Sequence, residues 1–348
     1  MELLVIVDKP ALLRVGAALL ASVLIIAGLS LIKRGPAAAA DFPCQVSSSA
    51  EKISIDVSSG ETGSEIALEL FDKGVTKSQE SFFRIAVADQ RSSSIAPGIH
   101  LIDREICAKD ALTQLLDNKR IAGLINVKEG AWVSEIKVAF TEAGYSQKEI
   151  DRAFAQATIP QPFSRVEGLL FPAQYSFAKG TPIERAIVEM ISRGEQEVMR
   201  AGFADKTSRF TEQELLIIAS IIQAEGTDDN FGQVSRVIYN RLKIGMPLQM
   251  DSTVHYVQAQ RGDIFLSTKS TLLKSPFNTY RNAGLPPGPI GNPGRNAMLA
   301  AVTPTPGDWL YFITVAPGDT RFTKSFDEFN EWKLIYKANL RAGKFEDK

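Results

Sequence analysis

The sequence predicts an α+β protein: an N-terminal membrane helix, a small β-α-α-β-α module, then a larger mixed α+β domain. Three observations carry this. Val15 to Ile32 form an uncharged run of 18 residues, just long enough to cross a bilayer. Downstream, short segments that alternate apolar and polar residues, as half-buried strands do, are interleaved with stretches of helical spacing. Finally, Thr211 to Glu225 reads as a capped helix that is apolar nearly all round, and such a helix belongs inside a domain. Residues 1–34 are assigned to a cytoplasmic tip and transmembrane anchor, 35–50 to a linker, 51–121 to the small module and 122–348 to the large domain.

Composition narrows the function classes. With 39 basic and 40 acidic residues the net charge is -1, so the basic footprint of a nucleic-acid binder is missing. Two histidines and two cysteines are too few for a typical His-rich metal site or a disulfide scaffold. There is no His-Glu-x-x-His, Gly-x-Ser-x-Gly or P-loop, so neither metal nor cofactor is expected.

The N-terminal apolar run is bounded by Arg14 and by Lys33-Arg34. A single anchor with the body exported is the reading adopted; a cleaved signal peptide is the alternative, because Gly35 to Ala40 is a small-residue stretch. Export would let Cys44 and Cys107 pair, and unpaired small core residues are the other option. Ile53 to Val57 alternates like a strand, Ser58-Ser59-Gly60 turns, and Thr62–Lys73 and Ser78–Ala88 have helical spacing. Gly98–Ile102 is a short strand and Ala108–Asn118 a helix. This module resembles the LysM-like units of cell-wall proteins; a glycan-binding or a spacer role is open. A similar unit begins again at Gly123–Val127, with helices over Val133–Gly144 and Ser146–Gln156. The parallel between Ile55 to Gly60 and Ile125 to Gly130 suggests a weak internal repeat. Pro182–Met199 is an amphipathic helix.

Thr211 and Glu214 then form a capping box, flanked by Phe210 and Leu215 as a hydrophobic staple. The helix ends at Glu225, with Gly226 as the stop. Glu225 shares a face with Ile218, Ile221 and Ile222, at the negative end of the helix dipole. Both features favour a protonated carboxyl, as a general acid requires; a solvated or arginine-paired helix end is the plainer alternative. Phe231–Lys243 is a second helix, carrying Asn240 and Arg241 near its end. Gly284 to Gly294 holds four prolines and four glycines in eleven residues, which suits a rigid loop lining a cleft better than a polar linker. Asn296–Val302 is helical, Trp309–Ile313 a buried strand, and Ser325–Leu340 a closing helix.

Four motifs in order, IIASIIQAEG (217–226), VIYNRLKIGMPLQMDSTVHY (237–256), SPFNTYRNAGLPPGPIGNPG (275–294) and WLYFITVAPGDTRF (309–322), resemble the endolytic murein transglycosylases, the YceG-like family. The resemblance runs from about Ile53 to the C-terminus. It implies a membrane-anchored enzyme whose catalytic domain lies outside the cytoplasm. The enzyme would cut the β-1,4 bond between N-acetylmuramic acid and N-acetylglucosamine, leaving 1,6-anhydro ends and so terminating or trimming nascent glycan strands. Its implied partners are peptidoglycan strands, the membrane and peptidoglycan synthases. The family's catalytic Glu falls on Glu225; a second Glu, often found two residues earlier, is Gln223 here. Asn240, Arg241, Gln249, Asp251, Asn278 and Tyr280 are the candidate substrate contacts. Arg241 is a candidate for muramic lactyl or peptide carboxylates, or for holding a helix end. The Glu167–Tyr175 motif lacks the family's Asp, and Arg321 and Phe329 stand where relatives commonly have His. A non-catalytic glycan-binding or scaffold protein of the wall-synthesis machinery is the competing class.

Overall fold

The computed structural model describes residues 39–44, 51–58, 60–177, 180–205, 208–261 and 266–345. The expected anchor over 15–32 lies outside them. Among the described residues no helix is long and apolar enough to cross a membrane. The fold is mixed α and β, with three two-stranded sheets. Two compact units emerge. The first takes the described residues of Met1–Ile55, Gly60–Ala96 and Ile102–Asp117; the second takes those of Asp56–Ser59, Pro97–Leu101 and Asn118–Lys348.

The small module runs β1 (Lys52–Val57), α1 (Gly63–Asp72), α2 (Gln79–Ala88), β2 (Gly98–Asp103) and α3 (Ala108–Leu115). α1 starts at a full capping box, Thr62 with Glu65, which satisfies two otherwise orphaned backbone donors. α3 follows Cys107, which has no side-chain cap bond; the Asp41 carboxylate takes that role and accepts from Ala108 N at 3.1 Å. Cys44 and Cys107 are joined as a disulfide, so of the two options open in the sequence the paired one is realised.

The second unit opens with β3 (Leu124–Val127), α4 (Val133–Glu142), α5 (Gln147–Ala155), β4 (Ala173–Ser176) and α6 (Ile183–Ala201). Its element order repeats that of the first module, as the Ile55 and Ile125 segments suggested. β3 and β4 are antiparallel, with Leu124 opposite Ser176 and Val127 opposite Ala173. Next come α7 (Glu212–Glu225), α8 (Phe231–Lys243), α9 (Asp251–Gln258), the single turn α10 (Thr268–Thr271) and α11 (Arg295–Val302). α7 is the hub. Leu215 to Ile222 are all buried, and α8, α9 and α11 pack round it. Arg295 at the head of α11 grips the buried Glu197 of α6 with two nitrogens, each at 2.7 Å.

The chain ends in a hairpin, β5 (Tyr311–Ala316) and β6 (Asp319–Thr323), against which α12 (Phe326–Arg341) lies. The sequence reads β5 as buried; most of it is only half-buried. It pairs with β6 on one edge and keeps aromatic side chains at the wall of a cavity.

The Pro/Gly segment is neither linker nor surface loop, for Gly288 to Gly294 are all buried. It lies across α7, where Ile290 N donates to Ser220 Oγ at 3.0 Å and Gly294 N to Gln223 Oε1 at 2.8 Å. At Gly291 a Cβ would sit 2.7 Å from the Gly130 carbonyl, so only glycine fits. Asn292 joins this segment to the rest. Its carboxamide oxygen accepts from Gly168 N and Leu170 N at 3.0 and 2.8 Å, and its nitrogen donates to Ala131 O at 2.8 Å. Asn292→Leu would orphan two buried N–H groups, at a cost of about 3 kcal/mol in unfolding free energy. Urea denaturation measures this, and an unchanged midpoint would refute the assigned role.

Candidate active site

Glu225 is the last residue of α7, and the capping box read from the sequence sets that helix: Thr211 N donates to Glu214 Oε2 at 2.8 Å, and Glu214 N to Thr211 Oγ1 at 3.2 Å. The helix stops at Gly226 for a reason other than left-handed geometry. Gly226 is extended, and a Cβ there would meet Asn230 Oδ1 at 2.7 Å and the Phe231 ring at 2.9 Å. Close approach to the start of α8 is what selects glycine.

The Glu225 carboxyl does not stay with its own helix. Oε1 accepts from Ser252 N at 3.0 Å, in the first turn of α9. Burial raises its proton affinity, and the neighbouring Asp251 raises it further; the Ser252 groups and the Arg241 charge pull the other way. The residue as a whole is only half-buried, because it opens onto two cavities. One, of about 760 Å³, is also lined by Arg241, Gln249, Asp251 and Tyr280. The other, of about 300 Å³, is lined by Trp132, Gln223, Asp251, Ser252 and His255. Glu225 and Asp251 belong to both, so the carboxyl stands where the two spaces meet.

Five of the seven residues singled out from sequence thus share one cavity. Tyr280 OH donates to Asp251 Oδ1, and burial beside Asp251 pushes the phenol well above its usual range. Gln249 is exposed with φ of 48°, a left-handed conformation uncommon for a residue with a side chain. Its N–H donates to Thr279 O at 3.2 Å, and Met250 N to Thr279 Oγ1 at 3.0 Å. These bonds stitch the 248–250 and 278–280 segments together and bring Asp251 and Tyr280 to one spot. Arg241 lies at the cavity wall but is largely buried. Its Nε donates to Leu310 O at 2.6 Å, another guanidinium nitrogen donates to Leu248 O, and the group packs over Tyr311.

Asn240 and Asn278 are not among the residues lining either cavity. Asn240 Nδ2 donates to the carbonyls of Trp309 and Gly307 at 2.9 and 3.3 Å, fixing the entry to β5. Asn278 is fully buried, donating to Thr271 O and Leu273 O and accepting from Tyr280 N. Their polar groups are spent on backbone, as most buried amides are.

The sequence reading missed α9. Its start, Asp251-Ser252-Thr253, is polar, and the preceding Met250 makes no side-chain cap bond, so no helix signal stood out. Helical spacing in α9 puts Ser252 and His255 on one face. His255 Nδ1 is buried without a protein partner, Ser252 Oγ lies beside the Glu225 carboxyl, and both residues line the smaller cavity. An unpaired buried polar atom beside a cavity, as His255 Nδ1 is, is open to a ligand's hydroxyl or amide group. Trp132, edge-on to Tyr256 at 5.8 Å, has Arg261 4.0 Å over its ring. Among the described residues, Cys44, Cys107 and Asp110 form the one grouping of metal-ligating side chains, and both of its sulfurs are in the disulfide.

Glu167, from the motif lacking the family Asp, is buried beside the site. It accepts from Val133 N at 3.1 Å, Tyr256 OH at 3.1 Å and Asn292 Nδ2 at 3.2 Å. Burial outweighs these bonds and raises its pKa to about 7.

The YceG-like family model matches residues 55–333. The endolytic murein transglycosylase of Bacillus subtilis is 33% identical over 307 residues, 82% of this chain and 84% of that protein. That of Streptococcus pneumoniae is 37% identical over 158 residues, 43% of this chain and 28% of that protein. The crystal structure of a yceG-like protein from Listeria monocytogenes gives a TM-score of 0.53 at 26% identity, covering 81% of this chain and 98% of that one.

Glu167 supplies a test of the packing behind the site. A carboxyl whose folded pKa lies above its unfolded value stabilises the fold while protonated. Stability is therefore highest below pH 4.5 on this account and falls as pH rises from 4.5 to about 7, by up to about 3 kcal/mol. Urea titrations across that range should show the decline, and Glu167→Gln should reduce it, leaving the share that Glu225, also raised by burial, contributes; an equal slope in the variant would remove Glu167 as a source.

Proposed function

Because this chain belongs to the YceG-like family, we propose that it is a lytic transglycosylase acting on peptidoglycan, with Glu225 as its acid and base. The observation that supports this best is the position of the Glu225 carboxyl, desolvated, where two cavities meet. A glycan strand lying through both would present one glycosidic bond to it.

The chemistry needs one group used twice. Glu225 Oε1 is held by Ser252 N, leaving Oε2 to carry the proton. Protonated Glu225 donates to the oxygen of the β-1,4 bond, and the C1–O bond of N-acetylmuramic acid breaks. The Glu225 carboxylate then takes the proton of the muramic 6-hydroxyl, and O6 bonds to C1. The products are a 1,6-anhydro end and a new 4-hydroxyl, with no water consumed. Most glycoside hydrolases use a second carboxylate to activate water or to attack the sugar. Asp251, the nearest candidate, is engaged by Tyr280; in this reading it orients the sugar. Gln249, Tyr280, Ser252 and His255 contact hydroxyl and N-acetyl groups, and Arg241 supports the anionic form of Glu225. Asn240 and Asn278 position the loops that carry these contacts.

The finer assignments are parts of the same proposal. Residues 51–121 are a LysM-like module and 122–348 the catalytic domain, held at the extracytoplasmic face by residues 15–32. A C-terminal reporter active only in the cytoplasm would refute that topology.

Glycan strands digested by the purified protein should yield anhydro-ended fragments by mass spectrometry, and Glu225→Gln should lower the rate at least 1,000-fold, on the scale of losing an essential proton donor. Since Glu225 must enter protonated, kcat should fall as pH rises through its raised pKa. Reducing ends without anhydro sugars would make the protein a hydrolase instead.

A further inference from the structure

The larger cavity beside Glu225 has a wall that the acid chemistry leaves unused. α12 lays Phe329, Lys333, Tyr336 and Lys337 along it, facing Tyr311 of β5. Lys333 and Lys337 are four residues apart, so they project from one face of the helix, about 6 Å apart at Cβ. Lys333 is half-buried with its ammonium 5.5 Å from the Phe329 ring centre, and Lys337 is exposed.

Among the described residues no ion pair meets their charges. Nearby cations are paired: Arg321 with Asp319 at 2.7 Å and Lys324 with Asp308 at 2.8 Å. Neither Lys333 nor Lys337 has a carboxylate partner among the described residues. α12 has no fully buried residue; its Phe326 and Phe329 rings meet Tyr311, and the Lys333 ammonium lies over Phe329. The cavity therefore gathers three cationic side chains, Arg241, Lys333 and Lys337, against two carboxyls, Glu225 and Asp251. Arg241 is tied to the Leu310 and Leu248 carbonyls, and Asp251 to Tyr280. That leaves Lys333 and Lys337 as the cavity's cations without a carboxylate partner among the described residues, beside the aromatic rings of Tyr311, Phe326 and Phe329.

We infer that Lys333 and Lys337 form a subsite for the carboxylates of the stem peptides that hang from the muramic lactyl groups, next to the bond being cut. This rests on the transglycosylase reading and adds to it the part of the substrate that is read beside the sugar. An ammonium pairs with a carboxylate as a mobile point charge, which suits a flexible peptide. The adjoining rings offer apolar cover for lactyl and alanyl methyl groups. The sequence offered Arg241 for anion recognition; the geometry points to α12, which brings two lysines to the cavity that holds Glu225.

The test uses the full chain and two substrates, glycan strands with intact stem peptides and the same strands stripped by an amidase, with the lactyl carboxylates that this hydrolysis frees capped as methyl amides. The measured quantity is the ratio of kcat/KM on the two. Wild type should favour the peptide-bearing strands, less so at high salt, because partly exposed charges are screened. In K333Q/K337Q that ratio should fall on the order of tenfold, the scale of one or two charge-assisted bonds, and K333R/K337R should restore most of it. Thermal unfolding of each variant, unchanged from wild type, shows that α12 still folds. A ratio in K333Q/K337Q equal to that of wild type, whatever the absolute rates, overturns the subsite. If wild type cuts both strands yet shows no preference, the subsite also fails while the enzyme reading stands. If wild type makes no anhydro ends from either strand, the enzyme reading fails and takes the subsite with it.

Discussion

The structure around the site depends on how one stretch of backbone satisfies its hydrogen bonds. Gly284 to Gly294 contains four prolines without N–H groups and can join neither a helix nor a central strand. Yet its second half is buried, where unpaired polar groups are costly. Asn292 provides the solution: its carboxamide serves two amides and a carbonyl from the β3–α4 and β4 approaches, and it also meets Glu167. With that node closed, Ile290 and Gly294 lock onto Ser220 and Gln223, within the last two turns of the helix that presents Glu225. The acid inherits its position from a loop that touches it nowhere in sequence.

Glu225 itself sits between two opposed backbone fields. At the C-terminus of α7, unpaired carbonyls disfavour its anion; at the first turn of α9, the Ser252 N–H favours it. A group that must first hold a proton and then work as its conjugate base gains from such balance, because neither state is strongly trapped. Burial sets the starting bias towards the acid. The sequence shows half of this arrangement, the α7 end; the other half needed α9, which carries no cap signal.

Legibility followed local physics throughout. Helices with capping boxes, α1, α5 and α7, were readable because the signal lies within four residues. β4, β6 and α9 were not, since each is short and depends on a partner far along the chain: β4 on β3, β6 on β5, α9 on Glu225 and Thr279. The same division runs through the site. Glu225, Asp251 and Tyr280 stood out by motif and do meet at one cavity. Asn240 and Asn278 looked alike on paper, yet their amides face backbone carbonyls of loops 307–309 and 271–273. Whether an amide faces a ligand or a loop is decided by tertiary packing, and no spacing rule encodes it. Lys333 and Lys337 were invisible for a related reason: a lysine on an amphipathic helix is ordinary until tertiary packing sets it beside the cavity that holds Glu225.

The bridge between Cys44 and Cys107 has a bearing on how the chain matures. Within these 348 residues Cys44 and Cys107 are the two cysteines, so a single pairing is available inside the sequence. Cys44 also leaves the ribosome well before its partner, and it has no rival thiol to join within its own chain while it waits. The link can close only after α1, α2 and β2 have been made, and it ties the chain before β1 to the residue that leads into α3.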